Sequence, residues 1–324
     1  MSRTFRLGFV PLNDAAALLV ASEKGFFADE GLEVELSREA SWATVRDKLA
    51  VGALDGAHML APMVLASCLG VGGEPVPMVA PLALTLNGPA VTLSAPLADK
   101  VGGPDASGLA RLIARRRDEG ASPLTLATVF PYSTHSYLLR HWLAEAGVDP
   151  DRDVRLTVAP PPRTAGLLAA GVIEGFCAGE PWNAAAVAAG AGRVIARARD
   201  IWPDTPDKVF GVTEAWAQAN GEALGGLLRA LVRASAWMEA PENRAERAAL
   251  LARSHLVGLP ADLIAESLDD IVFHAGRANR PSPQHAQWVL GQMVRWEQVD
   301  PATDLAAVAA RAYRPELYEA ALDA

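Results

Sequence analysis

LEVELSREASWATVRDKLAVGALDGAHMLAP, residues 32–62, is the stretch that decides the fold. Residues 32–37 alternate apolar and polar side chains, the period of a half-buried strand. Ser41 stands where a helix N-cap belongs, and the spacing predicts a helix over 43–51. Gly52, Ala53 and Gly56 lead into a short apolar strand at 56–59, and an apolar helix follows at 62–70. Upstream, residues 5–10 read as a strand, and Asp14 reads as the cap of a helix over 15–24 that stops at Gly25. Strands and helices that alternate through short connections predict a parallel sheet covered on both faces.

Working outward, strands are expected at 75–86 and 90–93, a helix at 108–117 and a strand at 124–129. Ser133 and Thr134 cap a helix that runs to 146. A strand at 154–158 stops before Pro160, Pro161 and Pro162, which block its continuation. Residues 163–170 are helical, 175–178 a strand, 183–189 a helix, and 194–198 and 209–212 are strands. Beyond Thr213 the pattern is nearly all helix. The middle of the chain therefore forms its own set of strands and helices, with crossovers near 90–95 and 205–212. That is a bilobal α/β clamp of the kind that closes on a ligand. Residues 1–92 and 208–324 form lobe 1, residues 93–207 form lobe 2, and the site lies in the cleft between them.

Composition narrows the function. The chain has 324 residues, 51% of them hydrophobic, enough for more than one packed core. Net charge is −9, so no global cationic field suits nucleic acid, and a bound anion must be held by local groups. Mean hydropathy is +0.14, and the longest apolar run, near residues 59–71, is interrupted by Pro62 and ends in glycines. It is too short for a membrane span of ~20 residues. The cysteines, Cys68 and Cys177, read as two separate buried thiols, with a disulfide still open. Strand residues follow Arg3 and Arg6 at once with no apolar leader between, so the chain as it stands is expected to be cytoplasmic.

The chemistry gathers at strand ends. Trp42, His135 and the turn Gly179-Glu180-Pro181-Trp182 each sit where a strand gives way to a helix, and Lys208 precedes the strand at the second crossover. Helix N-termini carry free backbone N–H groups and the positive end of a dipole. At strand ends of open α/β proteins they are anion sites. Trp42 offers an indole N–H, His135 a ring donor, Gly179 close approach to the backbone and Lys208 an ammonium. Each also has a bland reading: a core Trp, a structural His, an ordinary turn, a surface Lys. Glu180 would repel an anion and is expected to point to a contact between the lobes. The six histidines show no metal-ligand spacing, and no nucleophile–base series accompanies them. The chain reads as a receptor for a small anion, with no enzyme activity, no metal and no cofactor.

The runs Phe9-Val10-Pro11-Leu12, Glu23-Lys24-Gly25-Phe26-Phe27, Glu39-Ala40-Ser41-Trp42, Arg46-Asp47-Lys48-Leu49, Gly52-Ala53-Leu54-Asp55-Gly56-Ala57-His58-Met59-Leu60-Ala61-Pro62 and Gly179-Glu180-Pro181-Trp182-Asn183 resemble the nitrate- and bicarbonate-binding proteins. These form the nitrate/sulfonate/bicarbonate branch of the periplasmic-type solute-binding proteins. The resemblance implies the type 2 periplasmic-binding-protein fold: two doubly wound α/β lobes, a hinge and a helical C-terminal segment. It implies a ligand set in which Trp42, His135, Gly179 and Lys208 match the family's Trp, His, Gly and Lys. The family's Gln falls at Pro89, which removes one donor. Bicarbonate binders lack the Lys and use calcium, so Lys208 argues against both. With no export signal, the chain is similar to the cytoplasmic nitrate/nitrite sensors (NasS-type regulators). That likeness implies nitrate or nitrite as ligand and an antiterminator partner of the ANTAR type, held in the anion-free state. The rival expectation is a solute-binding component of an anion ABC transporter whose leader is missing. An enzyme on the same fold, such as a thiamine-pyrimidine synthase, would need a cysteine-rich motif, and Cys68 and Cys177 stand far apart.

Overall fold

Side-chain alternation and capping set the elements where the sequence places them. The computed structural model describes residues 3–274 and 278–323. Its strands are β1 (Thr4–Phe9), β2 (Glu33–Arg38), β3 (Gly56–Leu60), β4 (Met78–Asn87), β5 (Ala90–Ser94), β6 (Thr125–Thr128), β7 (Arg155–Val158), β8 (Gly175–Ala178), β9 (Gly192–Arg197), β10 (Pro206–Thr213) and β11 (Ile271–Val272). They form a six-stranded sheet in the order β11-β4-β10-β3-β1-β2 and a five-stranded sheet in the order β7-β6-β8-β5-β9. The two sheets with their helices make the bilobal α/β fold.

The sheets are mixed, which corrects the expectation of a parallel one. β1 runs parallel to β2 and β3, but β10 is antiparallel to β3 and β4, and β11 is antiparallel to β4. In the second sheet β6 is parallel to β7 and β8, whereas β5 is antiparallel to β8 and β9. The antiparallel strands adjoin the crossovers, so the chain reverses direction where it changes sheet. It leaves the first sheet at Gly88-Pro89 and re-enters it at β10. The expected borders at 92/93 and 207/208 fall inside β5 and β10.

Local signals explain the helices beside the cleft. Ser41 Oγ accepts from Thr44 N at 3.2 Å and opens the helix Trp42–Ala50. Ser133 Oγ accepts from Ser136 N at 3.1 Å and opens Thr134–Glu145. Pro161 and Pro162 do not merely end a strand. They occupy the first turn of the helix Pro161–Ala169, where a missing N–H costs nothing. Asp14 makes no cap: it lies in a short 3-10 turn, Asn13–Ala15, ahead of the helix Ala16–Glu23, and no side chain caps either element.

The C-terminal helices cover the first sheet. Gly221–Glu239 packs on Ala16–Glu23 and on Pro315–Leu322, while Pro283–Arg295 packs on Ala61–Leu69. One apolar core is shared between the lobes: Leu12, Trp42 and Ala57 from the first join Ala127, Tyr137, Phe176 and Trp182 from the second. Backbone bonds cross the same seam, with Asn13 N donating to Glu180 O at 2.8 Å. Trp182 Nε1 donates to Pro11 O at 3.0 Å. The lobes are closed on one another. Among the described residues no helix is long and apolar enough to cross a membrane.

Candidate functional site

Lys208 lies within β10, opposite Leu60 of β3 and Thr85 of β4, and the ladder is irregular on both sides of it. Its side chain is fully buried. A lone ammonium there would be costly, and two carboxylates compensate it: Asp207 Oδ2 at 2.6 Å and Asp14 Oδ2 at 2.8 Å. The other oxygen of Asp14 meets His58 Nε2 at 2.8 Å. The alternative of a surface Lys is thus corrected. Lys208 is the centre of a buried ionic cluster that reaches from the crossover strand to the first turn of the chain.

The protonation states follow from burial and from these neighbours. Burial alone would raise the Asp14 carboxyl, but Lys208 and His58 outweigh it and hold it well below the usual range. Asp207 is pushed up to about 7 by burial, which overrides the pull of Lys208. Burial works against the Lys208 ammonium, yet Asp14 and Asp207 keep it above its ordinary value, so it stays charged. His58 is lowered by burial, and His135 is driven well below its ordinary value by burial and then by Lys208. Both imidazoles are neutral near pH 7.

Trp42 enters from the first lobe. Its ring lies 5.1 Å from that of His58, and Lys208 Nζ stands 5.6 Å from the indole centroid. His135 enters from the second lobe in the first turn of Thr134–Glu145. Thr134 Oγ1 ties that turn to β10 by donating to Pro206 O at 2.8 Å. Gly179 follows β8 and closes the gap. A Cβ built on it would stand 3.0 Å from Asp14 Oδ2 and 3.6 Å from His135 Nε2, so the lobes approach there only because no side chain intervenes. The fold therefore brings Trp42, His135, Gly179 and Lys208 to one place. Pro89 lies on the crossover, its carbonyl accepting from Ala198 N at 2.8 Å, and a Cβ on the preceding Gly88 would lie 3.6 Å from Asp207 Oδ2.

Several polar atoms in this cluster have no protein partner. Trp42 Nε1, both ring nitrogens of His135, His58 Nδ1 and Asp207 Oδ1 are buried and make no hydrogen bond. Trp42 and His135 are each only 1% exposed. Leaving a buried donor unmade costs about 1–3 kcal/mol. An indole N–H, an imidazole N–H and an ammonium around a glycine gap suit a small, planar, singly charged oxyanion.

The sequence missed Asp14, His58 and Asp207. A His inside a strand whose every residue is buried was one available signal, and an Asp-Lys pair entering the apolar run Val209–Val212 was another. Glu180 is a partial correction. Its backbone carbonyl makes the contact between lobes, but its side chain accepts from Ala184 N at 3.1 Å in the helix that follows it, Trp182–Ala188. Burial raises its carboxyl to about 7. The Glu180-Pro181 peptide is cis, and the helix begins one residue later than Pro181.

Cys68 and Cys177 are both free, and burial pushes both thiols up, away from nucleophilic use. Among the described residues no group of three or more His, Cys, Asp and Glu is placed to hold a metal ion. Outside the cluster, a recess of about 570 Å³ opens between the lobes at Pro11, Arg38 and Glu39 on one side and Val158, Pro160 and Arg163 on the other.

The chain belongs to the NMT1-like family, whose model matches residues 2–252. It is 38% identical over 329 residues to the nitrate import ATP-binding protein NrtC of Synechocystis sp., covering 96% of this chain and 49% of that protein. It is 33% identical over 345 residues to the nitrate/nitrite binding protein NrtA of the same organism, covering 99% and 76%. The crystal structure of the periplasmic nitrate-binding protein NrtA from Synechocystis superposes with a TM-score of 0.94 at 31% identity, covering 99% of this chain and 89% of that one. The chain spans about half the length of the import ATP-binding relatives it matches. It shares the solute-binding fold of the nitrate- and sulfonate-binding proteins. Named as a nitrate/nitrite binding protein and a nitrate import ATP-binding protein, these relatives support a solute-binding protein more than the sensor expected from sequence.

Proposed function

We propose that this chain is an anion-binding component of the nitrate/nitrite import type. Its lobes close on nitrate or nitrite, held by the Trp42 indole N–H, the His135 imidazole and the Lys208 ammonium in the gap that Gly179 leaves. One observation carries this reading: donors from the two lobes, Trp42 Nε1 and the His135 ring, meet beside Lys208 in a buried place with no protein partner. A guest anion supplies the missing acceptor and joins the lobes in doing so. Resemblance to a nitrate/nitrite binding protein over nearly the whole chain supports the choice of anion. Calorimetric titration with nitrate, nitrite, bicarbonate and an aliphatic sulfonate tests it. Nitrate or nitrite should bind with one site per chain; binding of bicarbonate or the sulfonate alone would sink the assignment.

A second reading draws on the match to half of an import ATP-binding protein. This fold is there part of a longer chain named for ATP binding, which leaves room for a role other than carrying the solute. The chain would then be a cytoplasmic nitrate/nitrite sensor whose anion-free form holds an antiterminator. The anion acts only through its different affinity for the two forms. Pull-down of a soluble partner should succeed without nitrate and fail with it. A chain that retains the partner at saturating nitrate would exclude this reading.

A further inference from the structure

We propose that the anion enters this site together with one proton, taken from solvent and held on Asp207. The inference rests on the anion-binding reading and adds a charge balance to it. The site has one fixed cation, Lys208, and it is already shared by two carboxylates at 2.6 and 2.8 Å. All three side chains are fully buried. The other titratable groups facing them are His58 from β3, His135 from the second lobe and Cys177 of β8. Both histidines are neutral and the thiol is protonated, so none supplies a second positive charge. With both carboxylates ionised the cluster carries one negative charge before any ligand arrives. A monovalent anion would make it two, in a place where water cannot screen them.

Nitrate and nitrite are weak bases and do not carry the proton themselves. Asp207 is placed to take it. Its Oδ1 has no partner, whereas Oδ2 remains against Lys208. Its affinity for a proton lies near neutrality even without a ligand. Asp14 is a poor acceptor, because Lys208 and His58 each occupy one of its oxygens. Protonation of Asp207 removes one of the two carboxylate charges that share Lys208, and the cluster with anion bound returns to a single negative charge.

The test is calorimetry with nitrate in buffers of different ionisation enthalpy, which reads proton uptake directly. Uptake should approach one proton per anion at pH 8 and fall toward zero at pH 6. Affinity should drop about tenfold per pH unit above about pH 7, the slope of a one-proton linkage. Asp207→Asn mimics the protonated acid, so its affinity should be flat over the same range with no uptake. Nitrate binding in the parent protein without proton exchange at pH 8 would overturn the proposal, and this needs no variant. Uptake that persists in Asp207→Asn, folded as judged by circular dichroism, would overturn the assignment to Asp207. An absence of binding at either pH would instead remove the anion-binding reading beneath it.

Discussion

The helix Thr134–Glu145 meets the opposite lobe near both of its ends, and the two meetings differ in kind. At its start His135 enters a buried cluster with neither ring nitrogen bonded. Further along, Tyr137 Oη donates to Gln298 at 2.8 Å and His141 stacks on Trp202 at 4.3 Å. Trp202 in turn meets Trp288 edge to face at 4.4 Å, and Arg295 Nη1 stands 2.9 Å from His141 Nδ1. Trp288 and Arg295 belong to the C-terminal helix that covers the first lobe. At the outer contact Tyr137, His141 and Arg295 find protein partners, although Arg140 Nε and Trp296 Nε1 beside them do not. At the inner one the polar atoms outnumber the partners that the fold supplies. One joins the lobes through paired groups, and the other is where the anion is proposed to bind.

The largest effect should come from the inner cluster. Lys208→Ala removes the only cation between Asp14 and Asp207. Breaking a buried pair in this way costs about 3–5 kcal/mol. The loss should be greatest at pH 8 and smaller at pH 6. Asp207 is an acid whose folded value is raised, to about 7, so below that pH it can neutralise itself. Thermal melts at the two pH values would show it. A Lys208→Ala protein as stable as its parent would mean that the cluster is not an ionic unit.

Trp42→Phe separates binding from stability. It keeps an aromatic ring beside His58 and removes an N–H that has no partner in the protein. The anion should lose a charge-assisted bond worth about 1.5–3 kcal/mol. That is roughly a 10- to 150-fold weaker dissociation constant. In the empty protein the loss of an unmet buried donor offsets part of the cost of the smaller ring in the core, so the melt should fall by much less than the affinity. A fall in stability with unchanged affinity would make Trp42 an ordinary core residue.

How far the sequence could foresee this contrast depends on how local each signal is. Trp42, His135 and Gly179 were legible because each follows a strand and sits in or before a helix's first turn, a position that short-range patterns mark. Lys208 was legible as a residue at the crossover but not as a buried one. Its surroundings come from Asp14, far away in sequence, and from a neighbour that reads as solvent-facing. Asp14 itself carried a misleading signal, since an Asp ahead of an apolar helix is normally a cap. His58 was hidden by the apolar run around it. In the fold, alternation revealed the strands, but strand direction depends on crossovers that only the tertiary structure closes. The helix Ala95–Val101 escaped because it is short and carries a proline in its first turn. β11 was hidden in the nearly all-helical pattern beyond Thr213, because Ile271 continues the apolar spacing of the segment before it.

Trp288→Ala tests the outer contact. The half-buried ring gives an edge-to-face pair and some apolar area, so the loss should be about 1–2 kcal/mol of stability. The anion should still find every inner donor, and its affinity should change less than about fivefold, a shift of about 1 kcal/mol. Scattering should show a looser empty form that compacts on nitrate. A collapse in affinity as deep as that of Trp42→Phe would mean that the two contacts are one cooperative unit, and the contrast between them would dissolve.

The smallest expected change is at Pro89, on the boundary between the two kinds of contact. The residue is buried, its carbonyl accepts from Ala198 N at 2.8 Å, and Asn87 and Gly88 before it have φ of 62 and 98°. Proline there stiffens the crossover, and Gln would surrender about 0.4–1 kcal/mol of that benefit. In return the amide brings a donor near Asp207, whose Oδ1 is unmet, and near the proposed anion. The amide's bond to the anion contributes about 1.5–3 kcal/mol, as the indole's does, but ordering the Gln side chain offsets about 1.5–2 kcal/mol of it, so Pro89→Gln should bind nitrate at most about 12-fold more tightly while melting slightly lower. Opposite signs for affinity and stability are what distinguish a new ligand contact from a repaired hinge. If both rise, the Gln has satisfied Asp207 instead of the anion, and the crossover belongs with the outer contact. If affinity stays level and stability falls, Pro89 serves only to stiffen the hinge, and the inner cluster is complete without a donor at that position.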